Sequence, residues 1–145
     1  MASSKKTNAQ RWLRQATLLE GKGELTEAIR IFAKAASADP SNIRAWQRQL
    51  VLYRKTKSRK EEIKLVISAI ASVKKARADQ HEQWTMANKE KVESSRALAA
   101  SLGLLGDDGM PIVRDAQLER WESRLYLLQH RESVARKKPK TKKKN

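Results

Sequence analysis

Apolar residues recur at helical spacing through most of this chain, and short polar breaks divide them into segments. The first segment, residues 10–21, places Trp12, Ala16 and Leu19 on one face, and Gly21 and Gly23 end it. The second, residues 24–38, carries Leu25, Ala28, Ile29, Phe32, Ala35 and Ala36. Asp39-Pro40 stops it, and the pair predicts a third helix opened by Pro40 with Asp39 as its cap. That helix carries Ile43, Trp46, Leu50 and Tyr53. Ser58-Arg59-Lys60-Glu61 then reads as a capping box, in which hydroxyl and carboxylate satisfy free N–H groups reciprocally. A fourth helix follows with Ile63, Val66, Ile67, Ile70 and Val73 on its apolar side. The connections are short, so consecutive helices are expected to form antiparallel hairpins.

Beyond residue 77 the pattern loosens. No Gly or Pro lies between Ser58 and Gly103, so residues 59–102 read either as one long helix or as two. Asp79 is the expected break, and Trp84 the expected apolar anchor of the helix after it. Residues 103–111 read as a loop. A last helix is expected from near Pro111, with Leu118, Trp121, Leu125 and Leu128 in a stripe and Tyr126 beside them. Such a stripe serves to cap the preceding hairpin, or to pair with a second chain.

The hairpins repeat at a fixed interval. Trp12 and Trp46 are 34 residues apart, as are Leu19 and Tyr53, Phe32 and Val66, and Ala35 and Ala69. In the first unit Trp12, Ala16, Leu19, Gly23, Leu25, Ala28, Phe32, Ala35 and Pro40 occupy the signature positions of the tetratricopeptide repeat, which this stretch resembles. Gln15 departs from that pattern. The second unit keeps Trp46, Tyr53, Val66 and Ala69 but has Leu50 at a small-residue site, Glu62 in place of the packing Ala and Lys74 in place of the final Pro. It is also similar to the half-TPR variety of RNA-processing factors. The resemblance covers residues 8–77 and implies an all-α stack of hairpins whose first helices line a groove. Carried across, the groove positions are Gln10, Leu13, Thr17 and Glu20 in the first unit. In the second they are Arg44, Gln47, Arg48, Val51, Arg54 and Lys55. Leu13 and Thr17 do not match the Lys/Asn clamp by which chaperone-binding members hold a terminal carboxylate.

Composition narrows the picture. Leu, Ile, Val and Phe together supply 29 of 145 residues, so the core is thin and depends on 19 Ala and four Trp. The expected organisation is a disordered N-terminus (1–8), a helical domain (9–135) and a disordered polybasic tail (136–145). No window is apolar enough to span a bilayer, and the first residues lack the apolar core of a secretory signal. A basic, acid-free stretch before Glu20 resembles a mitochondrial transit peptide. However, it overlaps the first helix, so an intracellular setting, cytoplasmic or nuclear and nucleolar, is expected instead.

The net charge of +16 is unevenly placed. Residues 41–77 hold eleven bases and two acids, and residues 136–145 hold seven bases and no acid. Residues 78–108 hold three bases and six acids, the reverse balance. The candidate polyanion contacts are therefore Lys57, Arg59, Lys60 and Lys64, with Arg136, Lys137, Lys138, Lys140, Lys142, Lys143 and Lys144 in the tail. Little else carries chemistry. The chain has no Cys, and His81 and His130 are far apart with no third ligand at metal spacing. Asp107-Asp108-Gly109 lacks the rest of a calcium loop. Gly21-Lys22-Gly23 has no following Gly-Lys-Ser/Thr of a phosphate loop.

The chain is therefore expected not to be an enzyme and to need no cofactor, small-molecule substrate or membrane. It reads first as an adaptor that docks an acidic or helical protein segment in a basic groove. It reads alternatively as an RNA or ribonucleoprotein binder gripping phosphates with both basic blocks, or as a structural subunit of a larger assembly.

Overall fold

The computed structural model describes residues 2–106 and 115–137. Among them the chain is all helical: α1 (Ala2–Gly21), α2 (Leu25–Ala38), α3 (Ile43–Thr56), α4 (Arg59–Ala87), α5 (Lys89–Ser101) and α6 (Ala116–Lys137). Each helix packs on its neighbour as far as α4, and α6 then returns onto α4.

Two apolar clusters hold this arrangement. The first joins α1, α2 and α3 around Phe32, with Leu13, Ile31 and Leu52 buried beside it. Ala16, Ala28 and Ala35 are wholly buried, so small side chains bring these helices close enough for Phe32 to fill the space between them. The second cluster joins α3, α4 and α6 through Leu50, Val66, Ile70, Val73, Leu118, Trp121 and Leu128, with Leu125 partly buried against it. Trp46 touches both clusters, and its indole N–H donates to the Pro40 carbonyl at 3.0 Å.

Several local expectations are corrected. The first helix begins at Ala2, not near residue 10, and Ala9 is buried, so the segment 2–8 extends the hairpin as helix rather than trailing as a disordered end. Asp39 does not cap α3. It ends α2, and its carboxylate accepts from the Ser41 hydroxyl at 2.6 Å, while Asn42 caps α3 by accepting from the Ala45 N–H at 3.2 Å. Ser58 does cap α4, accepting from the Glu61 N–H.

Asp79 breaks nothing. The residues around it are good helix formers, and α4 runs through it to Ala87. The interruption comes at Asn88, whose side-chain amide donates to the Trp84 carbonyl at 2.8 Å. Residues 59–102 thus form two helices. Ile67 faces solvent rather than the core, because it points away from the face that Val66, Ala69, Ile70 and Val73 present.

Trp84 is not an anchor either, and half of its surface is exposed. The reason lies in how α6 meets α4. Arg59 pairs with Glu132, Arg124 with Glu62, Lys74 with Glu122 and Arg77 with Asp115, so the two helices run antiparallel and α6 begins opposite Arg77. The last ten residues of α4 project beyond the start of α6, and among the described residues they meet only α5 and Leu105 after it. Pro111 and the Asp107-Asp108-Gly109 stretch lie outside the described residues.

Asp115 opens α6 as its cap, with its carboxylate accepting from the Leu118 N–H at 3.0 Å and the Gln117 N–H at 2.8 Å. The Leu118 N–H lowers this carboxyl below its ordinary value of 3.8; burial opposes it, and the Arg77 guanidinium and the Gln117 N–H add to the lowering. A depressed carboxylate stabilises the fold fully above its unfolded-state value, and that contribution is lost as pH falls through the folded one. Asp115→Ala is accordingly expected to cost about 0.5–2 kcal/mol near neutrality and to flatten the loss of stability below about pH 4. Urea unfolding at pH 7 and pH 3 measures both effects.

Candidate functional site

The sequence places Lys57 and Lys60 more than seventy residues before Arg136 and Lys137, and the fold brings the helix ends that carry them together. Because α6 is antiparallel to α4, the last turns of α6 lie beside the first turn of α4. Arg59, Glu132 and the cleft between them mark the junction. The two side chains meet at 3.5 Å, and Arg59, His130, Arg131, Val134 and Ala135 line an open cleft of about 390 Å³.

Around this junction stand Lys57 from the turn between α3 and α4, Lys60 from the first turn of α4, and Arg131, Arg136 and Lys137 from the end of α6. All five are exposed, and none has an acidic partner among the described residues. Arg136 and Lys137 are helical, not part of a disordered tail, and sit where the carbonyl end of α6 favours cations. Lys64 lies one turn beyond Lys60 and borders a separate shallow cleft with Tyr53, Glu61 and Ser68. Lys138, Lys140, Lys142, Lys143 and Lys144 lie outside the described residues.

The predicted groove is only partly cationic. Glu20 of α1 is ion-paired with Arg48 of α3, which ties the two helices together and removes that arginine from the free wall. Arg54 is shared with Glu62 at 3.4 Å. The Glu62 carboxylate is itself 5% exposed and is held more closely by Arg124 of α6, at 3.1 Å. A wall almost free of acids is thus overturned for Arg48, whose partner comes from α1, and for Arg54, whose partner lies on the next helix. Gln47 and Lys55 are exposed and Val51 is half-buried.

Arg44 meets a different set of residues. With Gln10, Leu13, Arg14, Thr17, Leu18 and Asn42 it lines a cleft of about 500 Å³ between α1 and the start of α3. The groove positions Gln10, Leu13, Thr17 and Arg44 therefore share one cavity. The Thr17 hydroxyl is occupied, donating to the Leu13 carbonyl at 2.7 Å. The cleft holds two guanidinium groups and no acid.

Sequence reasoning missed Arg14, Leu18 and Arg131. Arg14 lies one turn from Gln10 and Leu18 one turn further, so a count by helical face finds them. Arg131 lies in a stretch whose charges balance overall, and only its place on the folded helix separates it from Glu132. The two histidines each stack on a neighbouring ring, His81 on Trp84 and His130 on Tyr126. Among the described residues no three metal-ligating side chains gather, and no helix is long and apolar enough to cross a membrane. Compared with protein-family models, curated proteins and solved structures, the chain matches none of them.

Proposed function

We propose that this chain is a non-enzymatic binding module, a TPR-like stack of hairpins closed by α6, whose cationic end holds the phosphate backbone of RNA. One observation carries the reading. Lys57, Lys60, Arg131, Arg136 and Lys137 converge from two distant segments onto one end of the α4–α6 pair, with Glu132 already engaged by Arg59. Cations on neighbouring turns with no acidic partner among the described residues repel one another in the free protein, and a polyanion relieves that repulsion while releasing its own counterions. The sequence after Lys137 adds five further lysines within eight residues, at positions 138, 140, 142, 143 and 144. Recognition is expected to read phosphates rather than sequence, with arginine available to stack on bases.

The test is binding of a fluorescently labelled single-stranded RNA to the full chain and to the triple variant Lys57→Glu, Lys60→Glu, Arg131→Glu. The variant is expected to bind at least about tenfold more weakly, with its salt slope flattened by about three contacts. Equal binding by both proteins overturns the reading.

A second reading rests on the α1–α3 cleft, where Arg14 and Arg44 flank the apolar surface of Leu13 and Leu18 without any competing acid. That combination suits a short acidic protein segment bearing one apolar side chain. Arg14→Glu with Arg44→Glu separates the two readings: it abolishes capture of such a peptide and leaves the α4–α6 end untouched.

A further inference from the structure

Among the described residues, α5 meets only the end of α4, and the part of α4 after Arg77 lies beyond its contact with α6. α5 buries none of its thirteen residues. An isolated helix of that length is marginal in water, so its stability has to come from something that covers it. The surface it offers is apolar: Trp84 is 53% exposed, Leu98 62%, Leu102 63% and Leu104 55%. Leu98 and Leu102 are one turn apart on α5. Beside them His81, Trp84, Val92 and Ala99 border a small cleft of about 120 Å³.

We infer that this arm is a dimerisation surface and that its occupant is the arm of a second copy of the chain. Charge selects that occupant. Two molecules of net charge +16 repel wherever their basic bodies meet. Residues 78–106 are the exception: they carry Asp79, Glu82, Glu90 and Glu93 against Lys89, Lys91 and Arg96. Mixed signs on α5 let two antiparallel copies set Glu90 and Glu93 against lysine and arginine of the partner, as a twofold interface requires. At roughly 100 Å² of apolar surface per large side chain, two arms would bury on the order of 1,000 Å², the size of a weak and reversible dimer. The projection of the arm beyond α6 keeps the cationic bodies apart, so both RNA-binding ends stay open.

Salt gives this dimer a signature opposite to that of an electrostatic complex. Screening weakens the repulsion between bodies and leaves apolar burial intact, so association tightens as salt rises. The experiment is sedimentation of the nuclease-treated full chain over a concentration series at about 50 and 500 mM salt. The expected result is a monomer–dimer equilibrium whose dissociation constant falls several-fold at the higher salt. In the variant Leu98→Ser, Leu102→Ser it rises at least about tenfold while helicity is unchanged. A chain that stays monomeric throughout, a dimer that weakens with salt, or a variant that dimerises as well as the parent would each overturn the inference. Because nuclease has removed RNA, none of these outcomes bears on the phosphate-binding end.

Discussion

Trp121→Ala is expected to destabilise the protein by about 3–5 kcal/mol, the range for truncating a large buried aromatic. Against a total stability on the order of 5–15 kcal/mol, that is a large share. Trp121 is 5% exposed and sits in the second cluster with Leu50, Val66, Ile70 and Val73. It is the largest side chain by which α6 holds α4. The Arg59–Glu132 and Lys74–Glu122 pairs along the same seam are partly solvated, and exposed pairs contribute little each, so they cannot replace it. The first cluster, around Phe32, belongs to α1–α3 and contains no residue of α6. The loss should therefore be local: α6 releases while the α1–α3 unit stays folded. Urea unfolding followed by circular dichroism should show a lower midpoint, and limited proteolysis should cut within α6 first. A loss below about 1 kcal/mol, with α6 still protected, would mean that this seam does not hold the molecule together. Because α6 carries Arg131, Arg136 and Lys137 to Lys57 and Lys60, the same variant is expected to bind RNA more weakly although no cation has been removed.

RNA affinity of the parent chain should fall by a factor of roughly 300 to roughly 40,000 between 50 and 200 mM salt, with about 0.7 counterions released per phosphate contact on a single strand. The lower figure corresponds to the six cations at the α4–α6 end, Arg59 included, and the upper one to those six together with the five lysines of residues 138–145. The two limits can be told apart. Deleting residues 138–145 should flatten the salt slope by up to about 3.5 if all five lysines contact phosphate, and leave a residual slope from the folded end alone. A slope near zero in the parent would show that binding, if present, is not made through phosphates. An unchanged slope after truncation would confine the contacts to α4 and α6.

Much of the helical framework was legible from the chain, for physical reasons that particular residues display. The spacing of Leu25, Ala28, Ile29, Phe32 and Ala35 leaves only a helix that buries one face, and that face is the core of α1–α3. Leu118, Trp121, Leu125 and Leu128 likewise had to be covered. Local signals were weaker where two residue types competed for one role. Asp39 and Asn42 both make good caps, and the choice of Asn42 followed from where the turn placed the first free N–H groups. Trp84 shows the limit of pattern reading. Its spacing resembles that of a buried anchor, yet burial depends on a neighbour, and α6 starts too late along α4 to provide one.

The functional surfaces divide in the same way. Sequence by itself determined that the chain is helical, that its core is thin, and that its positive charge lies in two blocks with an acidic stretch between them. Those properties are local or additive, set by spacing and by counting. Only the tertiary structure decided which charges remain free. Glu20 reaches Arg48 across 28 positions, and Glu62, held by Arg124 across 62, also engages Arg54, so two acids neutralise part of the expected groove. The same antiparallel return of α6 joins Lys57 and Lys60 to Arg131 and Arg136. Electrostatic energy depends on distance in space, and chain order does not fix that distance until the helices have packed.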